Sequence, residues 1–324
     1  SKAFIEMTTS TSIVESLHEN AIVVIVAVTV IIISVLYLVL QQKSPPKTES
    51  HADVSTGLRR EESSSSSNAL NVADKVLNPA VFKKFTVLKI TKVSHNTKLI
   101  RFEIPHGKTL GLQIGRHITL RAEIDGNNVM RAYTPTSRPD QQGYFDLLIK
   151  TYEFGKMSSY IHTLKVGGSV EVRGPVGRFK YEKNSYKRIG LVAGGTGLTP
   201  CLQVIRCILE SPEYCVGEKT CFTLLFQNRC EEDILLRDEL DALQKAFPDR
   251  LQIFYYLSNP QTAEFASTLR PFERKGYINE EVAKLLAPDV CPLVCICGPS
   301  GFNDCVKKLL VAVGHEEEKS IYVW

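Results

Sequence analysis

The rhythm of strand signals changes near residue 185, and that change constrains the fold more than any other feature of the chain. Residues 81–184 read as short β-rich runs, FTVLKITKV, KLIRFEIP, HITLRAEI, GYFDLLIKTY and GSVEVRGPVG, each bounded by Gly, Pro, Asn or Asp. Asp125-Gly126 is a hairpin-turn dipeptide. Closely spaced strands with almost no helical periodicity predict a small antiparallel barrel. In residues 185–324 strand, turn and helix alternate: RIGLVAGG then LTPCLQVIRCILE, CFTLLFQN then DILLRDELDALQKAF, LQIFYYL, and PLVCICG then SGFNDCVKKLLVAV. That alternation predicts a parallel sheet with crossover helices, with its ligand beyond the C-terminal ends of the strands.

Ahead of these domains, residues 21–40 read AIVVIVAVTVIIISVLYLVL, with no charge, Pro or Gly. At a rise of about 1.5 Å per residue this run is about 30 Å long, the thickness of a bilayer core, and predicts a transmembrane anchor. A secretory signal would have a shorter apolar stretch and a small-residue cleavage site, whereas QQKSPP follows here. A buried core helix is the other reading. Lys2, Glu6, Glu15 and Glu19 precede the span and Lys43, Lys47, Arg59 and Arg60 follow it, so the positive side is C-terminal and the large domains are expected in the cytosol. Residues 1–20 form a tail. Residues 41–80, with Pro45-Pro46 and serines at positions 63–67, predict a flexible linker.

Composition narrows the function. A net charge of +4 over 324 residues, with scattered Lys and Arg, is no electrostatic footprint for nucleic acid. Nine cysteines, none before Cys201, have no disulfide-framework spacing and indicate a reducing compartment. Cys291, Cys295 and Cys297 invite a metal reading, but no second cluster or close His completes it, and packing within a sheet accounts for Cys291 and Cys295. No metal is expected.

Four motifs carry chemistry. RAYTPTS, residues 131–137, closes a barrel strand and puts Arg131 and Tyr133 on one face, a cation suited to phosphate beside a ring suited to a planar ligand. A surface Arg and a half-buried Tyr before a turn would look the same. GKMSSYI, from Gly155, is a turn feeding a short helix, with Ser158 as a possible cap and free N–H groups for an anion, although a Gly before a helix is common. AGGTGLTP, from Ala193, ends an apolar strand. Its glycines let a pyrophosphate approach the backbone, with Thr199 as the expected N-cap and Pro200 at the first helical position. It differs from the usual G-x-G-x-x-G fingerprint. CGPSG, from Cys297, ends a later strand at the same predicted edge.

In this order RAYTPTS, GKMS, GPVGRF, GGTGLTP and CGP resemble the ferredoxin-reductase-like flavoproteins, and are most similar to the NADH-cytochrome b5 reductase family. The likeness runs from about Phe82 to Trp324 and includes KITKVSHNTKLIRFEIP, GLQIGRHITL and LQVIRCILE. It implies a six-stranded antiparallel FAD-binding barrel over residues 81–184, followed by a Rossmann-like NAD-binding domain over residues 185–324. By that resemblance Arg131 holds the FAD pyrophosphate, Tyr133 contacts the flavin, and Thr134 hydrogen-bonds near flavin N5. Gly155, Lys156, Met157 and Ser158 complete the pyrophosphate site. Leu148 and Lys150 lie in the strand whose lysine helps bind NADH. Gly195, Thr196, Gly197, Thr199 and Pro200 form the nicotinamide and phosphate wall, and Cys297, Gly298 and Pro299 lie beside the hydride path. Thr134, Thr199 and Cys297 are the residues implied at the reacting centre, Cys297 as a positioning group and not a nucleophile. His117 is expected to be a hydrogen-bonded structural histidine.

The implied activity is hydride transfer from NADH to FAD, then single electrons to cytochrome b5 or a similar acidic haem protein, with the cofactors carrying the chemistry. A monomer is expected, in the endoplasmic reticulum with the mitochondrial outer membrane as alternative. Ser258 stands where the family usually carries an acidic residue or Asn that reads the adenosine ribose, and QTAEFASTLRPFERKGY after it departs from the family loop and brings Arg270, Arg274 and Lys275. A carboxylate would accept the 2′-hydroxyl and repel a 2′-phosphate; Ser258 does neither strongly, so NADPH is open beside NADH. Two other readings remain: a reductase for another carrier or a quinone, and a non-catalytic nucleotide-sensing scaffold.

Overall fold

The computed structural model describes residues 75–260 and 273–324. The expected tail and anchor, and the expected linker up to residue 74, lie outside the described residues. Among the described residues no helix is long and apolar enough to cross a membrane.

The first half is six antiparallel strands: β1 (Lys83–Lys92), β2 (Thr97–Glu103), β3 (His117–Ile124), β4 (Asn127–Tyr133), β5 (Tyr144–Lys150) and β6 (Ser169–Val176). Their order is β4-β3-β6-β1-β2-β5. Alternation drives the curl. In β3, Ile118, Leu120 and Ala122 are buried while Thr119, Arg121 and Glu123 between them are more exposed. Asp125 at φ 51° and Gly126 at φ 71° make the two-residue turn into β4, the backbone twist that hairpin strands require. Inside, Phe102 stacks on Phe145 at 5.2 Å between ring centroids and Phe85 meets Phe145 edge-on at 5.3 Å. After β5, helix α1 (Lys156–Thr163) inserts Met157 and Ile161 into the same core.

The second half is a six-stranded parallel sheet: β7 (Arg188–Gly194), β8 (Cys221–Asn228), β9 (Leu251–Leu257), β10 (Glu273–Lys275), β11 (Leu293–Cys297) and β12 (Ile321–Val323). Its order is β10-β9-β8-β7-β11-β12. Helices α2 (Leu198–Glu210), α3 (Arg237–Ala246) and α4 (Ser300–Ala312) cross over it. The chain steps outward from β7 to β10 and then returns to β11 on the other side of β7. The turns after β7 and β11 therefore diverge at a topological switch point, where such sheets bind ligands.

The halves are bolted together. β5 is buried on both faces, with Leu147 and Ile149 in the barrel core and Leu148 in the core of the parallel domain. Eleven of the thirteen α2 residues are buried. From that helix Gln203 accepts a hydrogen bond from Gly115 N at 2.7 Å and donates to Gln113 O at 3.0 Å, while Arg206 donates to Thr136 O. Phe179 packs against Tyr322 and Trp324, and the Trp324 indole N–H donates to Gly115 O at 3.1 Å.

Three local expectations are corrected. α2 opens at Leu198 with Gly197 as its cap, so Thr199 is not the N-cap and Pro200 is not the first helical residue. A 3₁₀ turn over Gly195–Gly197 leads directly into the helix, and the Thr199 hydroxyl donates back to Thr196 O at 3.2 Å. Ser158 does not cap α1, since Gly155 is the cap and the Ser158 hydroxyl donates to Gly155 O at 3.0 Å. The helix expected from Asp233 starts at Arg237, after Leu236 at φ 54°. Burial of Ile234 and Leu235 in the core outweighs helix continuation there.

Candidate active site

The halves enclose a cleft of about 540 Å³. Its barrel wall comes from the end of β4, with Arg131, Tyr133 and Thr134, from Leu148 and Lys150 of β5, and from Gly155, Lys156, Met157 and Ser158 at the start of α1. Its sheet wall comes from the switch-point turns, Thr196, Gly197, Thr199 and Pro200 after β7 and Cys297, Gly298 and Pro299 after β11. Four motifs spread over 169 residues, from 131 to 299, thus meet in one place. Gly195 and Ser258 do not line it. Gly195, at φ +55° with open space where a Cβ would stand, turns the chain between lining neighbours. Ser258 follows β9, its N–H donating to Asn228 O at 3.1 Å.

The barrel wall gathers two cations around an uncapped helix start. The Arg131 guanidinium is exposed and donates only to Met130 O, at 2.7 Å, with no carboxylate paired to it among the described residues. Lys156 Nζ is 3.9 Å from an exposed Asp125 carboxylate, a pair of little strength. No side chain caps the first N–H groups of α1. Two cations and an uncapped eight-residue helix start are the donor set a diphosphate needs. Beside them burial pushes the Tyr133 hydroxyl up to about 12, against the opposing pull of Arg131, so the ring is neutral at physiological pH.

The sheet wall offers backbone. A Cβ on Gly197 would lie 2.0 Å from the Cys297 carbonyl oxygen, and one on Gly298 would lie 2.4 Å from the Phe302 ring. The two turns therefore pack main chain to main chain, leaving the cleft side open to a flat ligand. Burial pushes the Cys297 thiol up to about 11, which keeps it protonated at neutral pH and fits a positioning group rather than a nucleophile. Cys201 and Cys295, also buried, are shifted upward by the same cause.

Two contacts cross the cleft. Lys150 Nζ sits 2.9 Å from Asp233 Oδ1, and Tyr152 OH is 3.0 Å from Thr196 Oγ1. Burial would raise the Asp233 carboxyl, but hydrogen bonds from Lys150 and Cys230 outweigh it and hold the group below the usual carboxylate range. His117 also lines the cleft, and its ring has no hydrogen-bond partner among the described residues, contrary to expectation. Burial, with Arg116 nearby, lowers its pKa and leaves it neutral at pH 7. Tyr152, Phe154 and Trp324 line the cleft without having been foreseen. Phe154 is 90% exposed, a signal invisible in sequence, and Trp324 is brought in only by pairing of β12 beside β11.

A cationic wall on an antiparallel barrel, facing the switch point of a parallel sheet, is the layout of a two-domain oxidoreductase with FAD- and NAD-binding domains. Residues 84–181 match the oxidoreductase FAD-binding domain model and residues 191–308 the oxidoreductase NAD-binding domain model. NADH-cytochrome b5 reductase 1 of Dictyostelium discoideum is 41% identical over 247 residues, covering 75% of this chain and 82% of the relative. Its namesake in Candida albicans is 40% identical over 249 residues, covering 76% and 81%. Among solved structures, the cytochrome b5 reductase domain of Ulva prolifera nitrate reductase superposes with a TM-score of 0.67 at 32% identity, covering 77% of this chain and 100% of that domain. The CS-b5R domains of human Ncb5or, in the NAD+ form, give 0.61 at 27% identity, covering 78% and 71%. The chain belongs to the NADH-cytochrome b5 reductase family.

Proposed function

We propose that this chain takes reducing equivalents from NADH onto FAD in the cleft and passes them to cytochrome b5. The observation that carries the reading is the single cleft in which Arg131, Lys156 and the α1 start face Thr199, Gly197 and Cys297. Bound FAD would supply two-electron acceptance from a nicotinamide and one-electron release to a haem. The chain's own part is positioning. Arg131, Lys156 and the first N–H groups of α1 hold the diphosphate; Tyr133, Leu148 and Met157, which all line the cleft, offer an apolar seat for a planar ring. Thr134 and Thr199, both buried, offer hydroxyls at fixed points on the two walls, and the protonated Cys297 thiol and Gly298 backbone limit where the nicotinamide can lie. No side chain is required to move a proton in the hydride step.

The absorption spectrum of the FAD-loaded full chain, before and after NADH, tests this reading. Loss of the flavin band followed by reduction of added cytochrome b5 is expected; a colourless protein, or one whose band persists with NADH, rejects it. For an acidic haem partner steered by lysines, the reduction rate falls as salt rises. A flat response favours another carrier or a quinone.

The apolar run of residues 21–40 supports a single membrane crossing, and the Lys and Arg residues after it support a cytosolic active site, with the endoplasmic reticulum as the membrane. Retention of the full chain in the pellet after alkaline extraction is the expected result, and release into the supernatant rejects the anchor. The body is proposed to act as a monomer.

A further inference from the structure

Positive charge is concentrated at one end of the barrel. From Lys75 to Lys108 the chain carries eight Lys or Arg residues and one carboxylate, Glu103, although its overall net charge is only +4. Lys75, Lys83, Lys84 and Lys108 surround a concavity of about 580 Å³, with Glu103 as the acidic residue of its lining. Lys84, Lys89 and Lys108 are exposed, and none of the three forms an ion pair among the described residues. Lys83 donates to Val76 O at 2.7 Å, which holds its charge at the rim. Three carboxylates bordering this end are already paired: Glu171 with Arg121 at 2.7 Å, Asp146 with Arg101 at 2.8 Å and Asp140 with Arg138 at 2.6 Å. Glu123 on β3, and Glu213, which shares a neighbouring hollow with Lys75, add two more at the margin. The lysines of β1 still leave the face positive.

Apolar side chains are interleaved with these lysines. Val81, just before β1, is 53% exposed. A bulge between Val87 and Lys89 leaves Leu88 and Lys89 both turned to solvent. The loop before β6 is bonded to Val87 through Gly167 N at 2.9 Å and Gly168 O at 2.7 Å, which sets the exposed Lys165 and Val166 beside that bulge. Lysines around a few exposed aliphatic groups suit the headgroup layer of an anionic bilayer, with ammonium groups at the phosphates and methyl groups just below them.

The place where the chain arrives favours a membrane over a protein partner. Lys75, the first described residue, is part of the concavity, so the 34 residues 41–74 lead from the expected anchor to this end. As the linker expected from the sequence they would span about 30 Å on average, which keeps the face at high local concentration above a bilayer. The cleft lies elsewhere. β5 begins at Tyr144, paired with Glu103, and reaches the cleft lining at Lys150, about 20 Å away at the usual strand rise. The two linings share no residue.

We infer that this end of the barrel docks on the anionic headgroup surface of the membrane that carries the anchor. Lys75, Lys84, Lys89 and Lys108 meet the headgroups, Val81 and Leu88 dip between them, and the cleft is left facing the solvent. The inference rests on the reading of residues 21–40 as an anchor. Each lysine brought to the surface strengthens attachment roughly fivefold, and molar salt removes the effect by shrinking the Debye length to about 3 Å.

Lysine footprinting of the FAD-loaded full chain tests it, in vesicles of phosphatidylcholine alone or mixed with phosphatidylserine. Brief acetylation read by mass spectrometry is expected to modify Lys84, Lys89 and Lys108 at least about threefold more slowly on the anionic vesicles, with the difference lost in molar salt. Lys275 and Lys308, exposed in the parallel-sheet half, should react equally on both. Equal rates for Lys84, Lys89 and Lys108 on the two vesicles overturn the face. So does protection of the same lysines by soluble cytochrome b5 on neutral vesicles, which would assign them to a haem protein. Lys84→Glu combined with Lys89→Glu should return Lys108 to its neutral-vesicle rate while NADH oxidation by ferricyanide, a small soluble acceptor, is unchanged; a Lys108 still protected in this variant overturns the assignment. The comparison of vesicles on the unaltered chain needs no variant to fold. Release of the chain by alkaline extraction would sink the anchor, and cosedimentation of the same chain with anionic but not neutral vesicles would still decide the face.

Discussion

The two walls of the cleft are built from different material. The barrel wall presents charged side chains, Arg131 and Lys156, on exposed positions beside a helix start, where nothing in the packing depends on them. The sheet wall presents main chain, and its glycines are there because nothing larger fits. Gly197 abuts the Cys297 carbonyl, and the Phe302 ring from α4 sits under both Gly194 and Gly298, at 3.1 Å and 2.4 Å from where their Cβ atoms would be. A wall of side chains loses function in steps as charges are removed. A wall of backbone is all or none, because a single methyl displaces both turns together.

The largest effect should follow from breaking the backbone wall. Gly197→Ala forces the β7 and β11 turns apart and is expected to cost about 3 kcal/mol, a melting temperature lower by roughly 5–10 °C, with nicotinamide use reduced by two orders of magnitude or more. Calorimetry and NADH turnover measure the two losses, and an alanine variant with near-normal values would erase the contrast between the walls. Next comes the charge wall. Arg131→Ala should weaken FAD binding roughly ten- to a hundredfold, with melting of the FAD-depleted protein unchanged within a degree or two. Fluorescence titration of FAD measures the first, and an equal loss of stability in the absence of FAD would show that Arg131 does hold the packing.

The contact that bridges the walls ranks third. The Asp233 carboxyl is held below its unfolded value of about 3.9, so the stability it contributes with Lys150 is present above that pH and is lost as pH falls through the folded value. Asp233→Asn should therefore lower the melting point at pH 7 by an amount worth about 1 kcal/mol, and the gap from the parent should close below about pH 4. A gap that persists in acid would assign the effect to packing instead. The smallest effect belongs to Cys297. With its thiol raised to about 11, Cys297→Ser should leave the shape of the kcat/KM profile unchanged between pH 6 and 9, with only a few-fold loss in rate from altered fit. An inflection near pH 8 in the parent that vanishes in the variant would make Cys297 an ionising participant.

Much of this was legible from residue order, for local reasons. Alternation in HITLRAEI and the Asp125-Gly126 pair dictate a hairpin whatever surrounds them, and β3, its turn and β4 follow the pattern. RIGLVAGG and CFTLLFQN are continuous apolar runs because both faces of β7 and β8 are covered. Of the anticipated site residues, all but Gly195 and Ser258 line the cleft. Ser258 does not, since the end of β9 lies two strands away from β7. The helix expected from Asp233 failed for the converse reason: Ile234 and Leu235 fit a helical pattern, but long-range burial claimed them first.

The sequence by itself determined two sheets of opposite kind, the turns that need glycine, and the cation, ring and hydroxyl chemistry of four separate motifs. These depend on hydrogen-bond geometry and side-chain period within a dozen residues. Only the tertiary structure decided which of those groups meet: Lys150 with Asp233, Tyr152 with Thr196, and the Trp324 indole with Gly115, 209 positions earlier in the chain. Such contacts follow from β5 lying between the two cores and from α2 bonding the barrel through Gln203 and Arg206, and no local propensity encodes a partner that distant. The character of each wall belongs to the sequence, and the cleft between them to the packing that sets the walls face to face.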